Sequence, residues 1–293
     1  MASNSGYQIK VRDFEGSSEL AKRVGEVVHP HSVNSQLPPG TSSTRILRSE
    51  AAREASAVLA SHLFAEGDRN VPGVSYAVAY RLSELTTGGD IVDVYQFNNG
   101  AVALSIADIS GKGTQASIHA ALIKYGLRAY CSHGLTAETV MRALARLYLE
   151  NCTFEEIESF ASVFFGVVDR DRRTLTYANA GHEPVLLVHP HLEPRVLAPT
   201  APIIGVFDDQ HHLFTQRTVE LWPGSVLVAT TDGITEARSA DGEFFGMHGF
   251  YEFVKGVRNE ETSAIVDGLA KCVEEFAGTV WRDDVAILAA RFA

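Results

Sequence analysis

The amino-acid sequence predicts an α+β fold built in layers on antiparallel β-sheets. Hairpin-like strands begin near residue 72, two consecutive helical segments follow, and a second block of hairpin-like strands comes after them. Strands and helices do not alternate along the chain, as they would in a parallel sheet. With 293 residues and 45% hydrophobic side chains, the chain can bury a sizeable core.

The first block contains three predicted strands. Large residues of the first strand alternate with smaller ones, at Val74, Tyr76, Val78 and Tyr80. The stretch "VDVYQFNNGAVALSIA" predicts two further strands around an Asn-Asn-Gly turn. The last of these strands, residues 101–107, is an apolar run that ends at Asp108.

Two helical segments follow the first strand block. The first covers residues 114–130, and four of its apolar residues share one face: Ile118, Leu122, Tyr125 and Ala129. The second begins near Ala137, and its shared apolar face consists of Val140, Leu144 and Leu147. An amphipathic helix buries such a face, so we expect both helices to pack against a sheet through these residues.

The second strand block is long and ends the chain. Its predicted strands are "FASVFFGVVD", "TLTYANAG", "PVLLVH", "SVLVATT" and, after a helical stretch over residues 263–277, "DVAILAARF".

Residues 1–68 differ from the rest and are expected to form an N-terminal extension, with residues 69–293 as the main domain. Residues 31–45, "HSVNSQLPPGTSSTR", predict a loop or linker. A helix is predicted over about residues 45–64, with Ala52, Ala55, Leu59 and Leu63 at helical spacing. We expect this candidate regulatory helix to dock on the main domain or to pair two chains as a homodimer.

Composition excludes several classes of partner. The net charge is −11 and there is no long basic run, so nucleic acid and anionic membranes are not expected partners. No stretch has the length of a transmembrane helix, and the first ten residues lack the order of a secretory signal. Three cysteines without CxxC spacing predict reduced thiols and a cytoplasmic protein.

Aspartates at strand ends are the main chemical signal. They lie beside glycines or turns, at Asp90 and Asp93 in "GGDIVD", Asp108 in "IADISGKG", Asp232 in "TTDGITEAR", and Asp283 and Asp284 in "RDDVAIL". Taken singly, each of them is more often a turn or cap residue than a metal ligand. Gathered together they would repel one another, and divalent cations would remove that repulsion. An all-oxygen donor set favours Mg²⁺ or Mn²⁺ over Zn²⁺.

Three other signals are weak when taken alone. "GKGT" lacks the first glycine and the final Ser or Thr of a phosphate-binding loop, so Lys112 is a solvated charge or a phosphate contact. "GGD" is followed by Ile91 and Val92, which do not match a diguanylate cyclase signature. His182 in "NAGHEP" is either a turn residue or a functional one.

The order of the motifs is more specific than any single motif. "GGDIVD", "IADISGKG", "FFGVVD" with "TYANAGH", "TTDGITEAR" and "RDDVAIL" resemble, in this order, the metal-dependent protein phosphatase (PPM, or protein phosphatase 2C) superfamily. The resemblance is to its bacterial sporulation-protein-E-like branch and covers about residues 70–293. It implies two antiparallel β-sheets in a sandwich flanked by helices (α-β-β-α), with a metal site at one end.

The resemblance also implies roles for individual residues. Asp108 would bridge two divalent cations, the Ile109 carbonyl would bind the first ion, and Asp232 and Asp283 would bind the second. Asp90 would act on waters of the first ion. The remaining matched positions would lie near the ions or the substrate: Asp93, Ser110, Lys112, His182 and Asp284.

The implied activity is hydrolysis of phosphoserine or phosphothreonine by water activated between two Mn²⁺ or Mg²⁺ ions. The implied substrate is a phosphorylated bacterial regulatory protein of the anti-sigma-factor-antagonist type. Ser110 stands where many animal relatives have a histidine, and Ala286 replaces the usual Thr or Ser. Thr86 and Thr87 in "ELTTGGD" also depart from the frequent pattern. A non-catalytic module that binds a signalling partner is the alternative.

Overall fold

The computed structural model of the chain describes residues 71–81, 89–97, 100–111, 113–151, 159–171, 173–206, 213–278, 281 and 283–293, with the Thr114 side chain excepted. The predicted linker, the N-terminal helix with its docking or pairing role, and Lys112 lie outside these residues. Among the described residues, no helix is both long and apolar enough to cross a membrane.

The described segments contain ten strands and five helices. The strands are β1 (Val74–Arg81), β2 (Ile91–Gln96), β3 (Val102–Ile109), β4 (Ala161–Asp169), β5 (Thr174–Ala180), β6 (Val185–Val188), β7 (Arg195–Leu197), β8 (Arg217–Glu220), β9 (Val226–Thr230) and β10 (Val285–Phe292). The helices are α1 (Thr114–Cys131), α2 (Ala137–Asn151), α3 (Asp232–Thr235), α4 (Gly246–Val257) and α5 (Thr262–Ala277).

The strands form two five-stranded antiparallel sheets. Sheet I has the order β1-β10-β9-β6-β7, and sheet II has the order β2-β3-β4-β5-β8. Neighbouring strands run antiparallel in both sheets. The chain crosses between the sheets several times, and one crossing is the short turn that joins β5 in sheet II to β6 in sheet I.

Three apolar layers hold the sandwich together. The middle layer lies between the sheets and includes Leu104, Ile106 and Phe164 of sheet II with Leu227 and Leu288 of sheet I. Alternate residues of sheet II face α1 and α2 on the outside, and alternate residues of sheet I face α4 and α5. This α-β-β-α arrangement confirms the predicted fold class.

The predicted apolar face of the first helix was wrong. Ile118 and Tyr125 are 47% and 48% exposed, whereas Ala120, Ile123 and Leu127 are buried against sheet II. Helical spacing alone does not distinguish the two faces, because small alanine side chains let α1 approach the sheet closely while larger residues remain outside. In α2, by contrast, the predicted residues Val140 and Leu144 are buried.

A buried ion pair fastens α1 to sheet II. Arg128 of α1 donates two hydrogen bonds to Asp93 of β2, from Nε to Oδ2 at 2.6 Å and from Nη2 to Oδ1 at 2.7 Å. The Arg128 guanidinium also lies over the Tyr95 ring, 4.6 Å from its centroid. Asp93 is only 1% exposed, so removing its partner would leave a buried carboxylate without its bidentate donor.

We therefore expect Arg128→Met to lower the free energy of unfolding by about 2–3 kcal/mol, less than the roughly 3–5 kcal/mol typical of a broken buried ion pair, because Arg128 is itself one third exposed. Urea unfolding followed by circular dichroism measures this change. The matched control is Arg146→Met, which breaks an exposed pair with Glu150 in α2 and should leave stability unchanged. Equal losses in the two variants would contradict the role given to the Asp93 pair.

Candidate metal centre

Ends of the central strands meet at one end of the sandwich. In sheet II, Ile91 at the start of β2 lies opposite Ala107, and Ser162 near the start of β4 lies opposite Asp108. In sheet I, Thr230 at the end of β9 lies opposite Ile287 near the start of β10. The aspartates next to these positions therefore gather at the same end of the molecule.

Strand alternation directs Asp108 into the space between the sheets. Its neighbours Ala107 and Ile109 face α1 and α2, and Ile106 faces the middle layer. Side chains two residues apart share a face, so Asp108 lies on the Ile106 side, where the middle layer opens to solvent. Asp108 is half-buried there. The strand extends one residue beyond Asp108, to Ile109, and so fixes the backbone on both sides of this carboxylate.

Thr231 ties the two sheets together at this end. Its hydroxyl donates to Asp90 Oδ2 at 2.7 Å and accepts from the Ala286 backbone nitrogen at 2.9 Å. Its backbone nitrogen also donates to the Ala286 carbonyl at 3.1 Å. Asp90, just before β2, is thereby held against sheet I. Although residue 286 itself has no hydroxyl, a threonine hydroxyl contacts its backbone.

Two glycines allow the backbone segments to approach one another closely. A Cβ on Gly89 would overlap the Ile109 carbonyl oxygen, and a Cβ on Gly233 would overlap the Asp284 carbonyl oxygen. The glycines of the "GGD" and "TTDG" motifs thus place Asp90 beside the end of β3 and Asp232 beside the start of β10. Asp232 itself is the first residue of the short helix α3.

The gathered carboxylates raise one another's pKa. Burial, together with the charges of Asp283, Asp284 and Glu183, raises the pKa of Asp108 to about 6, while a hydrogen bond with Asp90 acts in the opposite direction. Burial and then the charge of Asp108 also raise the pKa of Asp90 well above its usual range, against the effect of the Thr231 hydrogen bond.

Asp232 shows the same effect from the side of sheet I. Burial raises its pKa to about 7, and the charges of Asp108 and Asp283 contribute in turn. These electrostatic effects link Asp90, Asp108, Asp232 and Asp283 as one group. Asp284 belongs to the same region, is 8% exposed, and donates its backbone N–H to Asp283 Oδ1 at 2.9 Å.

This donor set fits hard divalent cations. A bound cation stabilises carboxylates that raise one another's pKa, because it removes the repulsion between their ionised forms. Within the described part of the chain, no three His, Cys, Asp or Glu side chains are grouped as a complete metal site. Mg²⁺ typically keeps several waters and takes only one or two protein carboxylates, so carboxylates that do not enclose an ion completely can still bind hydrated Mg²⁺.

Glu183 is a member of the group that the sequence analysis missed. Its charge raises the pKa of both Asp108 and Asp232, and its Oε2 accepts a hydrogen bond from Thr235 Oγ1 at 2.9 Å. The available signal was its position directly after His182 in "NAGHEP", in the turn between two predicted strands.

The other predicted residues do not all lie at the gathered carboxylates. Asp93 is bound by Arg128 on the outer face of sheet II and does not face the gathered carboxylates. Ser110 extends the pairing of β3 with β4, since its Oγ accepts from the Phe160 nitrogen at 2.8 Å. His182 is 3% exposed and contacts Ser162 through Nδ1 at 2.8 Å. Burial lowers the pKa of His182 to about 3, so its ring is neutral near pH 7.

A family model described as Stage II sporulation protein E (SpoIIE) matches residues 98–293, which is well over half of the sequence. The chain belongs to the SpoIIE family. The matched region begins just before β3 and includes Asp108, Asp232 and Asp283, whereas Asp90 lies before it.

Relatives of this SpoIIE-family chain include two longer proteins. Protein IcfG of Synechocystis sp. is 26% identical over 228 residues, which cover 70% of this chain and 36% of that protein. The phosphoserine phosphatase RsbU of Bacillus subtilis is 28% identical over 158 residues, which cover 51% of this chain and 44% of that protein. The matched part thus spans less than half the length of either relative.

Solved structures share the fold of this SpoIIE-family chain. The SiaA-PP2C domain of Pseudomonas aeruginosa has a TM-score of 0.71 at 17% identity, covering 86% of this chain and 100% of that domain. The catalytic domain of the serine/threonine protein phosphatase PstP, solved with two manganese ions, has a TM-score of 0.55 at 14% identity, covering 74% of this chain and 97% of that domain. These likenesses confirm the predicted PPM phosphatase fold.

The raised pKa of Asp232 predicts a pH dependence for the metal-free protein. A carboxyl whose pKa is higher in the folded state than the usual 3.8 binds more protons when folded, so its contribution to stability falls as pH rises from about 4 to about 7. Asp232→Asn removes this titration. We expect the melting temperature of the wild type, measured in chelator, to fall relative to that of Asp232→Asn between pH 5 and pH 7.5.

At pH 7.5, added Mn²⁺ should raise the melting temperature of the wild type more than that of Asp232→Asn, because the cation stabilises the ionised carboxylate. A constant difference between the two melting temperatures across this pH range in chelator would contradict the electrostatic description of the site.

Proposed function

We propose that this chain is a metal-dependent protein-serine/threonine phosphatase that works with two Mn²⁺ or Mg²⁺ ions. The observation that carries the proposal is the group of carboxylates gathered at the open end of the sandwich in a chain of the SpoIIE family. RsbU, a relative, is named a phosphoserine phosphatase, and the PstP domain of the same fold is solved with two manganese ions.

The residues have the following roles in this proposal. Asp108 would provide ligands to both ions, because the charges of neighbouring carboxylates act on it and strand β3 holds its backbone on both sides. The Ile109 carbonyl would bind the first ion and Asp90 would act on that ion's waters, and the close approach of Gly89 to Ile109 supports a shared site. Asp232 and Asp283 would bind the second ion, since both lie at the adjoining ends of sheet I.

When bound, two such cations supply an activated water and neutralise charge on a phosphoryl group. The protein's part is to hold the carboxylates rigidly and to leave the end of the sandwich open to a phosphorylated side chain. His182 is a poor proton donor for the leaving group, because its buried ring is neutral and its Nδ1 is engaged by Ser162. Ser110 would contact the substrate in this proposal, since it follows the end of β3 two residues after Asp108.

The proposed substrate is phosphoserine or phosphothreonine on a bacterial regulatory protein of the anti-sigma-factor-antagonist type. This step rests on the family and on the name of the RsbU relative. We also propose a cytoplasmic location, a phosphatase domain that starts near residue 69, and a homodimer formed through residues 1–68. Light scattering on the chain with and without residues 1–68 tests the proposed homodimer.

Substitution of Asp108 tests the function most simply. Asp108→Asn removes a charge and a strong oxygen donor with little change in volume, so the fold should survive. We expect Mn²⁺ affinity to fall, and the rate of hydrolysis of p-nitrophenyl phosphate and of a phosphoserine peptide to fall by about a thousandfold. Chelator should abolish the wild-type activity. Metal titration and steady-state kinetics measure both effects.

Asp169→Asn is a matched control for this experiment. Asp169 ends β4 on the same sheet, seven residues from Ser162 and hence roughly 23 Å from the carboxylate group. This variant should keep wild-type affinity and rate. A folded Asp108→Asn protein with wild-type values would refute the proposed metal role, and a wild-type protein that binds phosphopeptide without hydrolysing it would favour the binding-module alternative.

A further inference from the structure

The turn that joins β5 to β6 connects the two sheets beside the gathered carboxylates. β5 ends at Ala180 in sheet II, and β6 begins at Val185 in sheet I, so only four residues make the crossing. Gly181 has a positive φ of 62°, which permits the sharp change of direction. Two side chains of this turn, those of His182 and Glu183, reach towards opposite halves of the proposed metal centre.

His182 reaches into sheet II. Its Nδ1 lies 2.8 Å from Ser162 Oγ, and both side chains are buried. Ser162 is the cross-strand partner of Asp108. Directly opposite residues of an antiparallel pair have Cβ atoms about 4.5–5.5 Å apart on one face of the sheet. His182 therefore contacts the residue that lies directly opposite Asp108 in the adjacent strand.

Glu183 reaches into sheet I. Its Oε2 accepts from Thr235 Oγ1 at 2.9 Å, and the same hydroxyl lies 3.3 Å from the Asp232 carbonyl oxygen. Thr235 is the last residue of α3, and Asp232 is the first. Glu183 thus contacts the single helical turn that carries Asp232.

The turn is itself held in place by Asn179. The His182 backbone nitrogen donates to Asn179 Oδ1 at 2.8 Å, and the Asn179 backbone nitrogen donates to Thr200 Oγ1 at 2.9 Å. Asn179 is fully buried. The backbone that carries the two side chains is anchored in this way, so both contacts start from a fixed turn.

We propose that His182 and Glu183 are positioning residues that set the separation between Asp108 and Asp232. We call the two contacts, His182–Ser162 and Glu183–Thr235, the turn bracket. Without it, the separation of the two carboxylates would depend on their own strand and helix ends and on the Thr231 hydrogen bonds. The inference rests on the proposed metal centre and adds to it a pair of contacts that links the two sheets beside that centre.

The bracket uses one defined nitrogen of His182. Nδ1 contacts Ser162, whereas Nε2 has no hydrogen-bond partner among the described residues. Asparagine places a polar atom near the position of Nδ1, and glutamine places one near the position of Nε2. Asparagine should therefore replace His182 with little loss of Mn²⁺ affinity, whereas glutamine should not. General disruption of the buried site would not produce this difference between the two variants.

Mn²⁺ binding to the full chain, measured by isothermal titration calorimetry, tests the bracket. We expect Ser162→Ala, Thr235→Val and His182→Gln each to weaken Mn²⁺ affinity by about 10-fold or more, as is typical when a group that orients a metal ligand is removed. Ser162→Thr, which keeps the hydroxyl, and His182→Asn should stay within about threefold of wild type. Circular dichroism and thermal unfolding identify the variants that fold.

Ser225→Ala is a matched control. Ser225 Oγ contacts His189 Nδ1 at 2.7 Å, which is the same pair of atoms in a partly buried setting, but Ser225 lies before β9, at the end of that strand away from Asp232. This variant should lose stability without losing Mn²⁺ affinity. If Ser162→Ala does not fold, the comparison of asparagine with glutamine at position 182 decides the question.

Asp108→Asn separates failure of the bracket from failure of the metal centre. If it weakens Mn²⁺ binding while folded Ser162→Ala and Thr235→Val bind as wild type does, only the bracket is overturned. Equal weakening in Ser225→Ala, or tighter binding in His182→Gln than in His182→Asn, would also overturn it. If Asp108→Asn itself binds Mn²⁺ normally, the proposed metal centre and the bracket both fail.

Discussion

Carboxylates that repel one another are held together at the end of the sandwich by the two sheets. Burial and the charges of neighbouring carboxylates raise the pKa of both Asp108 and Asp232. The protein resists this repulsion with packed strands and with direct hydrogen bonds between the sheets, such as that from Thr231 to Asp90. A site built this way is predisposed to bind cations, because a cation relieves a repulsion that the fold already sustains.

Strand register is therefore a functional constraint as well as a structural one. A slip of one residue in β3 would turn Asp108 towards α1 and α2 and bring Ile109 into the space between the sheets. Several features protect against such a slip, including the apolar layers on both faces of sheet II and the close backbone approach at Gly89. The same close approach sets the Ile109 carbonyl beside Asp90, so the packing of sheet II and the geometry of the site are fixed together.

The sequence predicted the local features of the site and missed contacts between distant residues. Asp108 and Asp232 were recognised because each follows an apolar run and is followed by glycine or a turn. The roles of Thr231 and Glu183 depend on contacts across 141 and 52 residues, which no local pattern records. The buried face of α1 was missed for a related reason, since helical spacing does not show which stripe the sheet accepts. Asp93 shares its motif with Asp90, yet strand alternation turns the Asp93 side chain to the outer face of sheet II, where it binds Arg128.

Anomalous diffraction at the manganese edge, from crystals of the protein soaked in Mn²⁺, would show whether the gathered carboxylates bind two ions. We expect two peaks at the open end of the sandwich, with Asp108 in contact with both ions and Asp232 in contact with one. A single peak without Asp108, or ordered manganese only at other places on the described surface, would contradict this expectation.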